Sequence, residues 1–145
     1  MIEIVGFGFD EKLLFSKALG IRKSVFVEEQ KVPPELEYDG FENESHHYLL
    51  FYNDEPIATA RWRKTEKGIK LERFAMLYEY RNKGVGSELL QRIMKDVSSL
   101  GEKVYLHAQL KAVSYYERVG FVKKGDVFVE AGIEHYMMEM LQGME

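Results

Sequence analysis

The sequence predicts one α/β domain spanning residues 1–145, and three observations carry that expectation. β-rich runs in the first half are joined by tight turns, so they read as hairpins. The second half alternates β, α, β, α, β, the order of a mixed sheet with helices laid on it. A chain of 145 residues with 46% apolar and 30% charged side chains also has the make-up of an ordinary globule.

Taken in order, Ile2, Ile4 and Val5–Phe9 read as a first strand. Asp10 is placed to cap the following helix, its carboxylate accepting from orphan N–H groups. Leu13, Leu14, Ala18, Ile21 and Val25 share one helical face, which predicts a helix over residues 11–27 that Gly20 weakens without ending. Val32-Pro33-Pro34 stops it, because a residue before proline is pushed out of the α region. The acidic stretch Glu35–Glu44 reads as a surface loop with one short turn. His47–Tyr52 and Ile57–Lys64 form a hairpin through Asn53-Asp54-Glu55-Pro56, and Lys67-Gly68 turns the chain into Ile69–Leu77. Leu89, Leu90, Ile93, Met94, Val97 and Leu100 define the clearest helix, closed by Gly101 in the left-handed conformation. Lys103–Ala108 is a fifth strand and Ala112–Val119 a short helix ended by Gly120. Phe121–Lys124, Val127–Glu130 and Ile133–Met140 finish the chain as strands.

Composition excludes several functions. Lys and Arg number 20 against 24 Asp and Glu, a net charge of −4 that argues against a phosphate-backbone partner. With no Cys there is no disulfide framework, thiolate zinc site or Cys nucleophile. His46 and His47 alternate faces and no His-x-x-x-His spacing occurs, so no metal site is expected. No apolar run is long enough to span a bilayer, and the acidic, alternating start is unlike a signal peptide. The expected location is therefore the cytoplasm.

Chemistry enters at Arg81-Asn82-Lys83-Gly84-Val85-Gly86-Ser87, between a strand and the strongest helix. A loop feeding a helix N-terminus leaves backbone N–H groups unpartnered, and aligned peptide dipoles add partial positive charge. Glycines let the main chain approach a ligand with no Cβ in the way, and Arg81 and Lys83 add cations. That is the make-up of a phosphate cradle. The segment lacks the ending of a Walker loop and the third glycine of a dinucleotide fingerprint. A glycine-bearing turn that binds nothing is the plain alternative.

Together with Ala112-Val113-Ser114-Tyr115-Tyr116-Glu117-Arg118-Val119-Gly120-Phe121, the Arg81-x-x-Gly84-x-Gly86 segment resembles the signature pair of the GNAT acetyltransferases. Arg22-x-x-Val25-Phe26-Val27-x-Glu29-Gln30, Asp39-Gly40, Ala108-Gln109 and Gly132-Ile133-x-His135 extend the resemblance to the small bacterial ElaA-like branch. The GNAT fold it implies is a mixed sheet of about six to seven strands, splayed between the fourth and fifth, with about four helices.

The resemblance further implies acetyl-coenzyme A as co-substrate, lying where those strands part. Its pyrophosphate would rest on the amides of Arg81, Asn82, Lys83, Gly84, Val85, Gly86 and Ser87. The pantetheine arm would pair with the main chain of Phe74, Ala75 and Met76 as an added strand, with an amide near Met76 holding the thioester oxygen. Gln109 stands where many relatives carry an Asn that bonds this arm. Tyr116 matches the family's general acid and borders the coenzyme; a phenol of pKa about 10 can protonate a thiolate of about 8.5. Tyr115 and Tyr116 could instead be core aromatics.

The acceptor ammonium must also lose a proton. Glu72, nine residues before Arg81, is the first candidate base and Glu29 the second. Alternation puts Glu72, Phe74 and Met76 on one face unless a bulge intervenes. Glu72 could equally pair with Arg61, Arg63 or Arg73, and Glu28-Glu29 could be a surface pair. In Arg61-Trp62-Arg63 both arginines share a face while Trp62 enters the core. The guanidiniums suit an acidic group on the acceptor, or they bridge the chain's own carboxylates. His135 could line the acceptor pocket or be a structural imidazole.

The expected activity is N-acetyl transfer from acetyl-coenzyme A to a small-molecule amine, by direct attack in a ternary complex. The alternative is a non-catalytic coenzyme A-binding sensor module. Glu28, Glu29, Glu35, Glu37 and Asp39 point to a cationic acceptor. Neither nucleic acid nor membrane is an expected partner, and the chain is expected to be a monomer or homodimer.

Overall fold

The computed structural model describes residues 1–141. Seven strands form one sheet in the order β1-β2-β3-β4-β5-β7-β6. They are β1 Ile2–Phe7, β2 His46–Tyr52, β3 Glu55–Thr65, β4 Gly68–Met76, β5 Val104–Gln109, β6 Phe121–Glu130 and β7 Ile133–Met140. All neighbours are antiparallel except β4 and β5. Four α-helices, α1 Lys12–Arg22, α2 Pro34–Glu37, α3 Val85–Ser98 and α4 Val113–Arg118, complete the mixed architecture the sequence predicts.

The sheet is apolar on both faces because side chains alternate along each strand. Leu89, Ile93 and Val97 of α3 pack onto Leu50, Ala58, Leu71 and Leu106. Ala18 and Ile21 of α1 pack with Val25, Leu49 and Ala75 on the opposite side. Ile93 is fully buried, and trimming it to Ala would cost roughly 2–5 kcal/mol for lost contacts and the hole left behind. The β2–β3 hairpin turns through Asn53 and Asp54 at φ 48° and 71°, the left-handed pair that matches strand twist.

Three local expectations need correction. Asp10 does not cap α1: the Glu11 N–H closes a turn onto Gly8 O, and Glu11 takes the cap position without a side-chain bond. The first helix does not end at 27 but widens after Arg22 into a π-helical segment, Lys23–Glu29, with the Gln30 N–H reaching back five residues to Val25 O. The two runs Phe121–Lys124 and Val127–Glu130 are one strand, β6, interrupted by a register shift.

The acidic stretch 35–44 is not a surface loop. It begins as α2, ends in a 3-10 turn at Glu42–Glu44, and folds down as a strap over the sheet. Glu37 is 2% exposed because Arg22 receives it: Nε donates to both its oxygens and Nη2 lies 2.9 Å from Oε2.

Candidate active site

The parallel ladder between β4 and β5 is short. Ile69, Lys70 and Leu71 pair with Val104, Tyr105 and Leu106, and beyond Leu71 the strands part. β5 instead continues along β7, where Gln109 stands opposite His135. A cavity of about 520 Å³ fills the gap, bordered by Glu72–Phe74, His107–Gln109, Gln30, Tyr116 and His135. On the α3 side a cleft of about 190 Å³ runs between Phe74–Met76 and Gly86, Leu89 and Leu90. Phe74 and Tyr116 border both spaces, with ring centroids 6.4 Å apart, so the two meet at this pair.

A bulge in β4 creates the arrangement. Thr59 faces Ala75 and Arg61 faces Glu72, so two steps on β3 oppose three on β4, and Arg73 takes φ 59°. Simple alternation is therefore overturned: Glu72 lies on the cavity side with Lys70, while Phe74 and Met76 join the α3-side core. The Leu77 N–H donates to Ile57 O, so alternation also turns the main-chain groups of Ala75 toward β3 and those of Phe74 and Met76 toward the opening.

Residues 81–87 leave β4 for α3 as the motif requires. Gly84 is the cap residue at φ 77°, a left-handed conformation strained for any residue with a Cβ. No capping side chain occupies the helix end, and the Ser87 hydroxyl instead donates to Gly84 O. Among the described residues, the backbone N–H groups of 82–87 donate to no protein acceptor. Arg81 departs from expectation: its guanidinium grips Glu29 at 2.5 and 2.8 Å, and its Nε donates to Met76 O. Lys83 is thus the cation left to face an anion there.

The two candidate bases are both bound by arginine. Glu29 is held below the usual carboxylate range by its hydrogen bond from Arg81, and it does not border the cavity. Glu72 Oε1 accepts from Arg61 Nε and Nη2 and from Arg63 Nε, and Lys70 Nζ lies 3.3 Å from Oε2. Burial would raise the Glu72 pKa, but the charges of Arg61, Lys70 and Arg63 and the Arg63 hydrogen bond outweigh it and lower the value. Arg73, the third partner considered for Glu72, turns instead to Glu37 and Asp39.

Arg61 is 1% exposed and also reaches Asp39 and Glu42, so its charges are spent within the protein. Trp62 enters the core as expected, donating from Nε1 to the Tyr48 hydroxyl. Arg63 stacks over Phe41 at 4.0 Å and borders the cavity. The acidic cluster expected to attract a cation is largely neutralised: Glu29, Glu37 and Asp39 are paired, and Glu28 and Glu35 do not border the cavity.

Tyr116 carries no hydrogen bond to protein among the described residues, and burial together with Tyr115 pushes its phenol above the ordinary range. Gln109 Nε2 donates to Gln30 Oε1, tying the end of β5 to the end of the π segment. His135 Nδ1 lies 2.7 Å from Ile133 O, a contact in which Nδ1–H is the donor, so in the neutral ring the lone pair is on Nε2. Nearby Glu130 is held at about 2, chiefly by its hydrogen bond with His107. Among the described residues no group of His, Asp and Glu is arranged to hold a metal ion.

Sequence reasoning offered the pairing of Glu72 with Arg61 and Arg63 but missed Glu130, His107, Lys70 and the part of the ion network that binds the strap. Glu130 and His107 had no motif, and the pairs that bind the strap, Arg22 with Glu37, Arg73 with Glu37 and Arg61 with Asp39, join residues far apart in sequence.

The family model of the GNAT acetyltransferase domain matches residues 16–142. The Bacillus subtilis protein described as an uncharacterized N-acetyltransferase, YjcF, is 37% identical over 123 residues, covering 83% of this chain and 88% of the relative. Escherichia coli ElaA is 29% identical over 126 residues, 83% of this chain and 82% of the relative. Its crystal structure superposes with a TM-score of 0.87 over 96% of this chain and 99% of that one. An acyl-CoA N-acyltransferase structure from Pseudomonas aeruginosa gives 0.87 at 27% identity, over 97% and 100%. With the splayed strands, the free amides before α3 and a tyrosine at the junction already described, these likenesses identify the chain as a GNAT-family acetyltransferase of the ElaA-like branch.

Proposed function

We propose that this enzyme transfers an acetyl group from acetyl-coenzyme A to a small-molecule amine by direct attack in a ternary complex. The observation that carries the reading is the meeting of two spaces at Phe74 and Tyr116, one beside the free amides of the 81–87 turn and one lined by polar groups. Two neighbours of the same fold have coenzyme A or acetyl-coenzyme A bound, from Thermoplasma acidophilum and Elizabethkingia anophelis.

When bound, the coenzyme supplies the thioester. Its diphosphate would be held by the amides of residues 82–87 and by Lys83, where helix dipole and unpartnered donors favour an anion. The main-chain groups of Phe74 and Met76 would pair with the pantetheine arm, and the Met76 N–H would stabilise negative charge on the thioester oxygen. Met76 O is already engaged by Arg81, so Arg81 acts by fixing this stretch rather than by meeting phosphate.

Attack by the amine nitrogen on the acetyl carbon forms the amide and expels the thiolate. Tyr116 gives that thiolate its proton, and the neutral phenol favoured by burial is the form able to do so. His135 takes the ammonium proton through Nε2, its ring oriented by Ile133 O. Glu72 and Glu29 act as counter-ions, since a carboxylate held by guanidiniums is a weak proton acceptor.

The test is calorimetry with acetyl-coenzyme A followed by free-thiol release across a broad amine panel. Micromolar binding with release dependent on one amine class supports the reading. Binding without release from any amine favours a sensor module, and absence of binding at millimolar coenzyme sinks both.

A further inference from the structure

The cavity beyond Tyr116 has walls of opposite character, and we infer that its acceptor is a zwitterion, a primary amine carrying a carboxylate in the manner of an amino acid. The inference rests on the acetyl-transfer reading and names its substrate class.

Arg63, Lys70 and Arg73 border the cavity on the β3–β4 side, and behind them Arg22 and Arg61 take up Glu37, Asp39, Glu42 and Glu72, so in this network five cations share four carboxylates. The deep members satisfy one another, and the surplus faces the cavity. Arg63 Nε is bound to Glu72 and its guanidinium rests on Phe41, yet neither Nη meets an acceptor among the described residues. Lys70 has a single carboxylate contact, at 3.3 Å. Arg73 Nε is buried and misaligned with Glu37, which lies 2.8 Å away without making a hydrogen bond. A guanidinium edge held from behind is preorganised for the two oxygens of a carboxylate.

The opposite wall carries Glu130 beside His107, with His135 close enough to feel its charge. An ammonium is attracted there and delivered to the imidazole that accepts its proton. Glu130 and Lys70 border the same cavity of about 520 Å³, so one small acceptor can meet both walls. A diamine would set its second ammonium against Arg63 and Lys70, and an amine without an acidic group would leave their donors without a partner on the ligand.

The experiment follows thiol release from acetyl-coenzyme A with free amino acids, each against its own amide, with putrescine and phosphoethanolamine alongside. The expected result is a kcat/KM at least about ten-fold higher for the acid than the amide in the preferred pair, about 1.4 kcal/mol of discrimination. In Arg63→Gln the acid-to-amide ratio falls below about two. Amides or putrescine reacting as well as any acid, or a ratio unchanged in Arg63→Gln, overturns the assignment. Phosphoethanolamine exceeding every amino acid overturns the carboxylate in favour of phosphate. A second arm needs no turnover: coenzyme A-loaded protein is titrated with N-acetyl amino acids and with their amides. Tighter binding of the acids supports the inference even if thioester is never consumed, an outcome that would remove the acetyl-transfer reading alone; parity overturns it.

Discussion

Arg61 and Glu72 face each other across β3 and β4, and Glu72 Oε1 receives the Arg61 Nε and Nη2 at 3.0 and 2.7 Å. The same guanidinium reaches Asp39 and Glu42, so it fastens the strap of residues 34–44 to the sheet beneath. The ion network is a structural joint whose outer edge is the cavity wall.

Arg22 and Glu37 are a deeply buried pair of that joint, both side chains being 2% exposed, with Glu42 and Arg73 as their further partners. Arg22→Met leaves a buried carboxylate short of its main partner and is expected to destabilise by roughly 3–5 kcal/mol. The double variant Arg22→Met/Glu37→Met is expected to regain most of that loss. Urea unfolding of both variants checks this; a double variant no better than the single would show that the pair is not the source of the cost.

Acid should loosen the strap. Burial alone would raise the Asp39 carboxyl, but the Arg61 hydrogen bond, the Phe41 N–H and the charges of Arg61 and Arg73 hold it at about 2, below its ordinary 3.8. A folded-state value below the unfolded one means that the contribution is complete above pH 3.8 and is lost as pH falls toward 2. Thermal melts should fall across that window by roughly 2–4 °C for each ~1 kcal/mol lost. Asp39→Asn should melt lower at pH 7 and show a flatter decline.

Tyr116→Phe should lower kcat on the order of 10²-fold while the acetyl-coenzyme A Kd moves little, because only the proton donor is removed. His135→Asn should reduce kcat by a similar factor, with coenzyme affinity retained. Steady-state kinetics paired with calorimetry separates the two constants, and unchanged turnover in either variant excludes that residue from proton transfer.

Gly84→Ala tests the amide cradle. The left-handed backbone at φ 77° costs an alanine roughly 1–2 kcal/mol, and relief of that strain would turn the neighbouring N–H groups away. Coenzyme A should then bind about five-fold weaker or worse, read by calorimetry, with the melting temperature modestly lower.

Much of this molecule is legible from its residues. The α3 periodicity, the Asn53–Asp54 turn and the glycine-bearing 81–87 segment are local patterns, and local patterns survive folding. The tyrosine of α4 and the splay were reached through resemblance rather than spacing. The strap was hidden because an acidic run looks solvated until distant guanidiniums are brought over it, as Arg22 and Arg73 are. The face of Glu72 was hidden because one extra residue in β4 inverts the parity on which alternation depends.

That extra residue at Arg73 also separates two design problems that a regular strand would couple. Lys70 and Glu72 face the cavity on one side of the kink, while the main-chain donors and acceptors at Phe74 and Met76 are aimed by the other. Shortening β4 by one position would instead rotate one half against the other and spoil both tasks at once. The kink makes the strand an adaptor, with one end turned to the cavity and the other keeping its main-chain groups toward the opening between β4 and β5.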